Sequence, residues 1–274
     1  MANSIPILMY HQVSNVVHPN FREYTVTTEM FTSQMRILKR LGFNPITFNQ
    51  LFSYKRGTGI LPRKPIIITF DDVLVDAVEC TVPILEEFGF KAVFYVPTDY
   101  VGRKSSWMIP DVDVEFPLVD WVEIRELISK GFEIGSHSIT HPHLDKISSK
   151  DCYRELEGSR KKLEQKLGVE IRHMAYPFGE FDESVRELAN NAGYYTACAG
   201  ESYIANSNSH LLSLPRQNVG MSDNMVEFLL KIHFGYTITD VWKTCKNRTE
   251  NLKPLVPKPV RQVLKKLLKY PNSA

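Results

Sequence analysis

The chain has 274 residues, 43% of them apolar, so a sizeable core is available and global disorder is excluded. Its net charge of +2 hides an asymmetry: from Trp242 onward nine Lys/Arg face Glu250 alone, and the preceding body has 24 basic against 30 acidic residues. An acidic body makes nucleic acid a poor partner. The four cysteines (Cys80, Cys152, Cys198, Cys245) are far apart and form no CxxC pair, which argues against a disulfide framework or a thiolate zinc site.

Short β-rich apolar runs alternate with helical patterns to about residue 235. Strands are expected near Ile5–Met9, Ile66–Phe70, Ala92–Val96, Phe132–Ser136, His173–Tyr176, Tyr195–Ala199 and Leu211–Leu214. A helix carrying Phe31, Met35 and Leu38 ends at Gly42. Asp120 with Glu123 opens a second helix that Gly131 closes, and Ser148 with Asp151 opens a third that Gly168 closes. A fourth holds Val185, Leu188 and Ala189 and stops at Gly193. Such alternation implies an α/β fold of parallel strands joined by right-handed crossovers. Seven strands suit a closed or nearly closed barrel better than an open sheet, with working residues at the C-terminal strand ends.

Three segments at such ends are unusually polar. Ile66–Phe70 runs straight into Asp71 and Asp72; a helix N-cap would also use Asp there, but two buried carboxylates need a cation. After the strand ending at Ser136 come His137 and His141, whose spacing of four places two imidazoles on one face of a helical turn. His143 lies off that face. The third segment, Ala175-Tyr176-Pro177-Phe178-Gly179, holds its backbone away from helix and leaves N–H groups free, although a plain turn reads the same way. One carboxylate and two imidazoles make a three-ligand metal site with an open position, and the neighbouring carboxylate supplies a base.

Thr69-Phe70-Asp71-Asp72, His137-Ser-Ile-Thr-His141-Pro and Tyr176-Pro-Phe-Gly179 resemble the motifs of the polysaccharide deacetylases of carbohydrate esterase family four. The similarity covers about residues 5 to 220. Leu8-Met9-Tyr10-His11-Gln12-Val13 and Trp121 resemble the branch acting on poly-N-acetylglucosamine. The resemblance implies a distorted (β/α)7 barrel, a divalent metal (zinc in most members) and hydrolysis of N-acetyl groups on a carbohydrate. It further implies Asp71 as general base, Asp72, His137 and His141 as ligands, the Phe178 N–H at the oxyanion, and Tyr176, Pro177 and Trp121 along the substrate path. A glycan-binding homologue without turnover, or an amidohydrolase on small non-sugar amides, are the other readings.

Three positions depart from the pattern. Val73 stands where the family has Gly, and is strained if that position needs φ > 0. Ala175 stands where an Arg orients the base; Arg216 is the candidate substitute. The closing His that supplies a general acid is missing from Leu212-Ser-Leu214-Pro215, and His11 is the candidate in its place, ahead of His210 and His233.

Two domains are expected: a barrel over 1–240 and a basic tail over 241–274. In the tail Val260, Val263, Leu264, Leu267 and Leu268 mark an amphipathic helix, either docked on the barrel or lying on an anionic membrane. With no basic n-region at its start and no run of roughly 18 apolar residues, the chain is expected in the cytoplasm, peripheral to the membrane if the tail binds there.

Overall fold

The computed structural model describes residues 4–200, 204–206 and 209–235. Seven parallel strands form its main sheet: β1 (Ile7–Tyr10), β2 (Pro65–Phe70), β3 (Val93–Val96), β4 (Glu133–Ser136), β5 (His173–Ala175), β6 (Thr196–Cys198) and β7 (Gln217–Asn218). Their spatial order is β6-β5-β4-β3-β2-β1-β7, so each strand from β2 to β6 lies beside its predecessor. The two-residue strand Asn44–Pro45 also pairs with the start of β2.

The strands are near-continuous apolar runs because both faces are covered. β1, β2 and β3 are buried at every position. The outer layer comprises α1 (Thr28–Arg40), α2 (Phe48–Lys55), α3 (Val75–Phe88), α4 (Trp121–Ser129), α5 (Ser149–Leu167), α6 (Glu183–Asn191) and α7 (Met225–Phe234). Caps set their ends. Asp120 and Glu123 form a capping box on α4, Ser148 Oγ accepts the Asp151 N–H on α5, and Gly168 closes α5 in the left-handed region. Helix α2, which begins with a Thr47–Gln50 capping box, and α3, with Pro83 inside it, lie between strands that the sequence pattern already marks.

The seventh strand is displaced from its expected place. Leu211–Leu214 forms no strand; Leu214 makes one isolated parallel bridge to Cys198. Pro215, which has no N–H to donate, then interrupts the pairing, and Gln217–Asn218 joins β1 instead, opposite Leu8 and Met9. The chain from Leu211 to Val219 thus touches both rims of the sheet: Ala197 and Ala199 donate to Leu211 O and Leu214 O, and Val219 donates to Met9 O. This spacer nearly closes the barrel.

Among the described residues no helix is long and apolar enough to cross a membrane, and Cys80, Cys152 and Cys198 are free thiols. The expected boundary near residue 240 and the basic amphipathic helix lie outside the described residues.

Candidate metal and catalytic site

β2 delivers its two carboxylates to the C-terminal end of the barrel. Asp71 N–H still bonds Tyr10 O, continuing the ladder, but Asp72 and Val73 both adopt positive φ (71° and 50°). Two left-handed residues in succession turn the chain sharply, so the adjacent side chains serve different partners. Val73 is fully buried and its carbonyl accepts from Val119 N–H, so packing holds a β-branched residue where it is intrinsically strained.

Asp71 faces Arg216. The guanidinium, wholly buried, donates from Nη1 to Oδ1 at 2.6 Å and from Nη2 to Oδ2 at 2.8 Å. Its Nε reaches Ala199 O at 3.2 Å, and the Tyr95 ring lies beneath it. Burial alone would raise the Asp71 carboxyl, but Arg216, with His137 and His11, outweighs it and holds the group well below the usual carboxylate range. Asp71 is therefore ionised and fixed in orientation by a two-pronged grip.

The imidazoles converge by a different route from the helical turn that their spacing suggests. Residues 137 to 143 form a loop in which Ser138 and His141 carry positive φ (65° and 57°). Ser138 Oγ accepts the His141 N–H, and Glu155 of α5 accepts the N–H groups of Ile139 and Thr140 and the Thr140 hydroxyl, each at 2.8 Å. The loop's Ser138 and Ile139 carbonyls also accept the N–H groups of Thr98 and Asp99, just beyond the end of β3. His137 Nε2 and His141 Nε2 come to 3.2 Å, and each stands 3.6 Å from Asp72 Oδ1.

These three atoms fit a cation. Asp72 Oδ1 is buried and finds no hydrogen bond among the described residues, a costly arrangement for a carboxylate unless positive charge meets it. Burial, and then the Asp71 charge, push the Asp72 carboxyl upward, which a cation beside it would offset. Burial holds both imidazoles below their ordinary value, hence neutral. His137 Nδ1 lies 2.8 Å from Ala175 O, a pure acceptor, so Nδ1 carries the proton and the Nε2 lone pair faces Asp72 and His141. A carboxylate and two neutral imidazoles are the donor set of catalytic zinc centres.

At the rim, His11 Nε2 lies 3.9 Å from Asp71 Oδ2, with the Tyr24 ring edge-on to its imidazole. Burial lowers His11 to about 4, so it is neutral at rest. Phe178, at φ 58°, is 42% exposed; its ring meets His141 edge-on and stacks on His143, which bonds Glu180. Gly179 follows because a Cβ there would lie 2.4 Å from Gly200 Cα. Pro177 is buried at the start of this turn.

One expected substrate contact is corrected. The Tyr176 side chain is fully buried, stacks on Phe181 and donates to Leu212 O, so it braces the turn from below. Trp121, first residue of α4, is half-buried against the main core, as is Trp107, whose indole stacks on His141 at 4.9 Å and 27° and meets Tyr100. The weaker histidine candidates lie elsewhere: exposed His210 accepts the Leu212 N–H, and His233 meets Phe43 in the last turn of α7. Glu155 and Trp107 escaped the sequence reading. Trp107 sits in a strand-to-helix loop, where the barrel rule could have found it, whereas nothing local to Glu155 distinguishes it from other acids on α5.

Residues 58–197 match a family described as polysaccharide deacetylase. A poly-beta-1,6-N-acetyl-D-glucosamine N-deacetylase of Staphylococcus aureus is 24% identical over 254 residues, covering 85% of this chain and 84% of that protein. The fold resembles that of the Streptococcus pyogenes deacetylase PplD in complex with acetate (TM-score 0.73, 22% identity, 84% of this chain and 98% of that one). It also resembles a polysaccharide deacetylase from Bacillus cereus (TM-score 0.70, 26% identity, 84% and 69%).

Proposed function

The chain belongs to the polysaccharide deacetylase family, and we propose that it hydrolyses N-acetyl groups on an N-acetylhexosamine-containing poly- or oligosaccharide, with zinc as its metal. The observation that carries this reading is an ionised carboxylate, Asp71, clamped by Arg216 beside three converging metal-type donors. The Staphylococcus aureus relative, named for poly-β-1,6-N-acetylglucosamine and aligned along most of both chains, supports that polymer as the substrate.

Asp72, His137 and His141 are the ligands in this reading. Bound there, a divalent cation supplies Lewis acidity to the acetamide carbonyl and to water. Asp71 accepts the proton of the attacking water, and Arg216 keeps its carboxylate in one orientation while it does so. Phe178 is the second residue of its turn, so no carbonyl within the turn can take its N–H, and that donor is assigned to the developing oxyanion. As the C–N bond breaks, the amine needs a proton. His11, neutral at rest and 3.9 Å from Asp71, receives the proton from the base and passes it to the leaving nitrogen. Phe178 and Trp107 then flank the sugar as apolar walls.

Asp71→Asn tests the reading. Acetate release from N-acetylglucosamine oligomers should fall by roughly 10²–10⁴-fold, the usual worth of a general base. Metal content and far-UV circular dichroism should stay at wild-type levels. Undiminished acetate release would refute the base assignment. A wild type that binds the glycan and releases no acetate would favour the non-catalytic homologue, which the strain at Val73 supports.

A further inference from the structure

The opposite end of the barrel has a charge character that the catalytic reading does not use. From Met30 to Phe70 the sequence holds no acidic residue and seven basic ones: Arg36, Lys39, Arg40, Lys55, Arg56, Arg63 and Lys64. All seven are exposed. They stand out on a body in which acids outnumber bases. Lys39 and Lys64 donate to the carbonyls of Phe88 and Leu41, and Arg56 lies over the Phe52 ring, contacts that leave these three charges in place.

In the midst of these bases is an apolar tip. The loop from Arg56 to Lys64 joins α2 to β2, and Ile60 within it is 93% exposed, with Tyr54 near the end of α2 38% exposed. An aliphatic side chain presented almost wholly to water gains nothing for the fold. The loop borders a groove of about 1030 Å³ whose walls include Leu41, Phe43, Leu61, Ile232 and His233. α7 ends at that groove, and from there the sequence runs on towards its nine Lys/Arg.

We infer that this end of the barrel, with Ile60 as the inserted tip and the surrounding Lys/Arg as headgroup contacts, docks on an anionic phospholipid surface. An apolar tip ringed by bases is the pattern of peripheral membrane contacts, where partial insertion and charge attraction add. A glycan or nucleic-acid polyanion would use the bases but leave Ile60 without a purpose. The loop precedes β2 and the catalytic carboxylates follow it, so the two ends are separated by the length of that strand, roughly 20 Å at 3.3 Å per residue. A docked chain therefore keeps its catalytic mouth facing away from the lipid. The inference stands apart from the deacetylase reading, since no catalytic or ligand residue takes part.

The test is co-sedimentation of the full chain with vesicles of phosphatidylcholine and phosphatidylserine in equal parts, and with phosphatidylcholine alone. The full chain should pellet with the mixed vesicles, stay in solution with the neutral ones, and dissociate at high salt. Each basic residue near an anionic surface is worth about fivefold in partitioning, so R56E/R63E should lower binding by at least about 25-fold. Ile60→Ser should lower it by about tenfold with the charge of the basic patch unchanged. Both variants should keep wild-type circular dichroism and wild-type acetate release from soluble oligomers, which separates a docking defect from a folding or catalytic one. Wild-type binding by either variant would overturn the inference, because the tail alone would then account for any attachment. So would failure of the wild type to pellet, or capture by dextran sulfate beads that is as strong as vesicle binding and indifferent to Ile60.

Discussion

Val73 is held at φ 50° with its side chain fully enclosed, two residues after the carboxylate assigned as base. A non-glycine residue in the left-handed region costs about 1–3 kcal/mol, and burying a valine returns about 1.5–3 kcal/mol. Val73→Gly removes both terms, so its unfolding free energy should stay within about 1–2 kcal/mol of wild type by urea denaturation. Val93→Gly, in the unstrained strand β3, should cost at least about 3 kcal/mol. An equal loss in both would mean that Val73 carries no strain. The sequence marked Val73 as the residue at risk, but the sign of φ is a property of the folded turn. Arg216 was legible in the same limited sense. An Arg was needed near the base, and one followed the last expected strand; that it grips both Asp71 oxygens depends on the displaced spacer between Leu214 and Gln217. Tyr176 differs from its expected role because a motif fixes the position of a residue and says nothing of which way its ring turns.

The loop after β4 shows why the spacing of His137 and His141 was readable as an element but not as the right one. Four residues bring two side chains together on a helix, and two left-handed residues in a loop achieve the same convergence. Glu155 then supplies what helical hydrogen bonds would have supplied, taking two backbone N–H groups and a hydroxyl. Glu155→Ala removes the acceptor for all three donors at once. The loss of order should reach the ligands: metal affinity by chelator competition should fall by roughly 10–100-fold, the range for residues that orient ligands from behind. Unchanged affinity would show that the loop holds its shape without α5. The seventh strand was misplaced for a related reason. Leu211–Leu214 has the apolar pattern of a strand and does meet β6, but Pro215 breaks the pairing, and only the geometry of closure decides that Gln217–Asn218 completes the sheet.

Strand–helix alternation, visible through most of the chain, carried the seven-stranded parallel barrel directly, because both faces of the sheet are covered and the strands read as apolar runs. What pattern could not reveal was how charge is distributed between the two ends of the barrel. At the end away from the metal-type cluster, Glu133 of β4 accepts the N–H groups of Phe48 and Asn49 at the start of α2, with His173 at 3.6 Å. Burial pushes its carboxyl up to about 7 from 4.5, against the pull of those two N–H groups. The native state thus holds a proton that the unfolded chain releases between these values, so the stabilisation is complete below about 4.5 and is lost as pH rises through about 7. The difference in unfolding free energy between wild type and Glu133→Gln should accordingly shift by about 3 kcal/mol against the wild type from pH 4.5 to 7.5. Taking the difference removes the opposing slope of buried His173, which is lowered to about 3. A pH-independent difference would place the Glu133 carboxyl at its ordinary value.

Deacetylation by this chain requires that Asp72, His137 and His141 share a cation next to a carboxylate that stays free. Elemental analysis of the full chain after chelation, reloading with zinc and gel filtration addresses this most directly, with Asp72→Ala, His137→Ala and Asp71→Asn treated alongside. A single tightly held ion per chain in the wild type and in Asp71→Asn, lost in the other two, is the expected result. Zinc absent from the wild type, or retained in full by Asp72→Ala and His137→Ala, would contradict it.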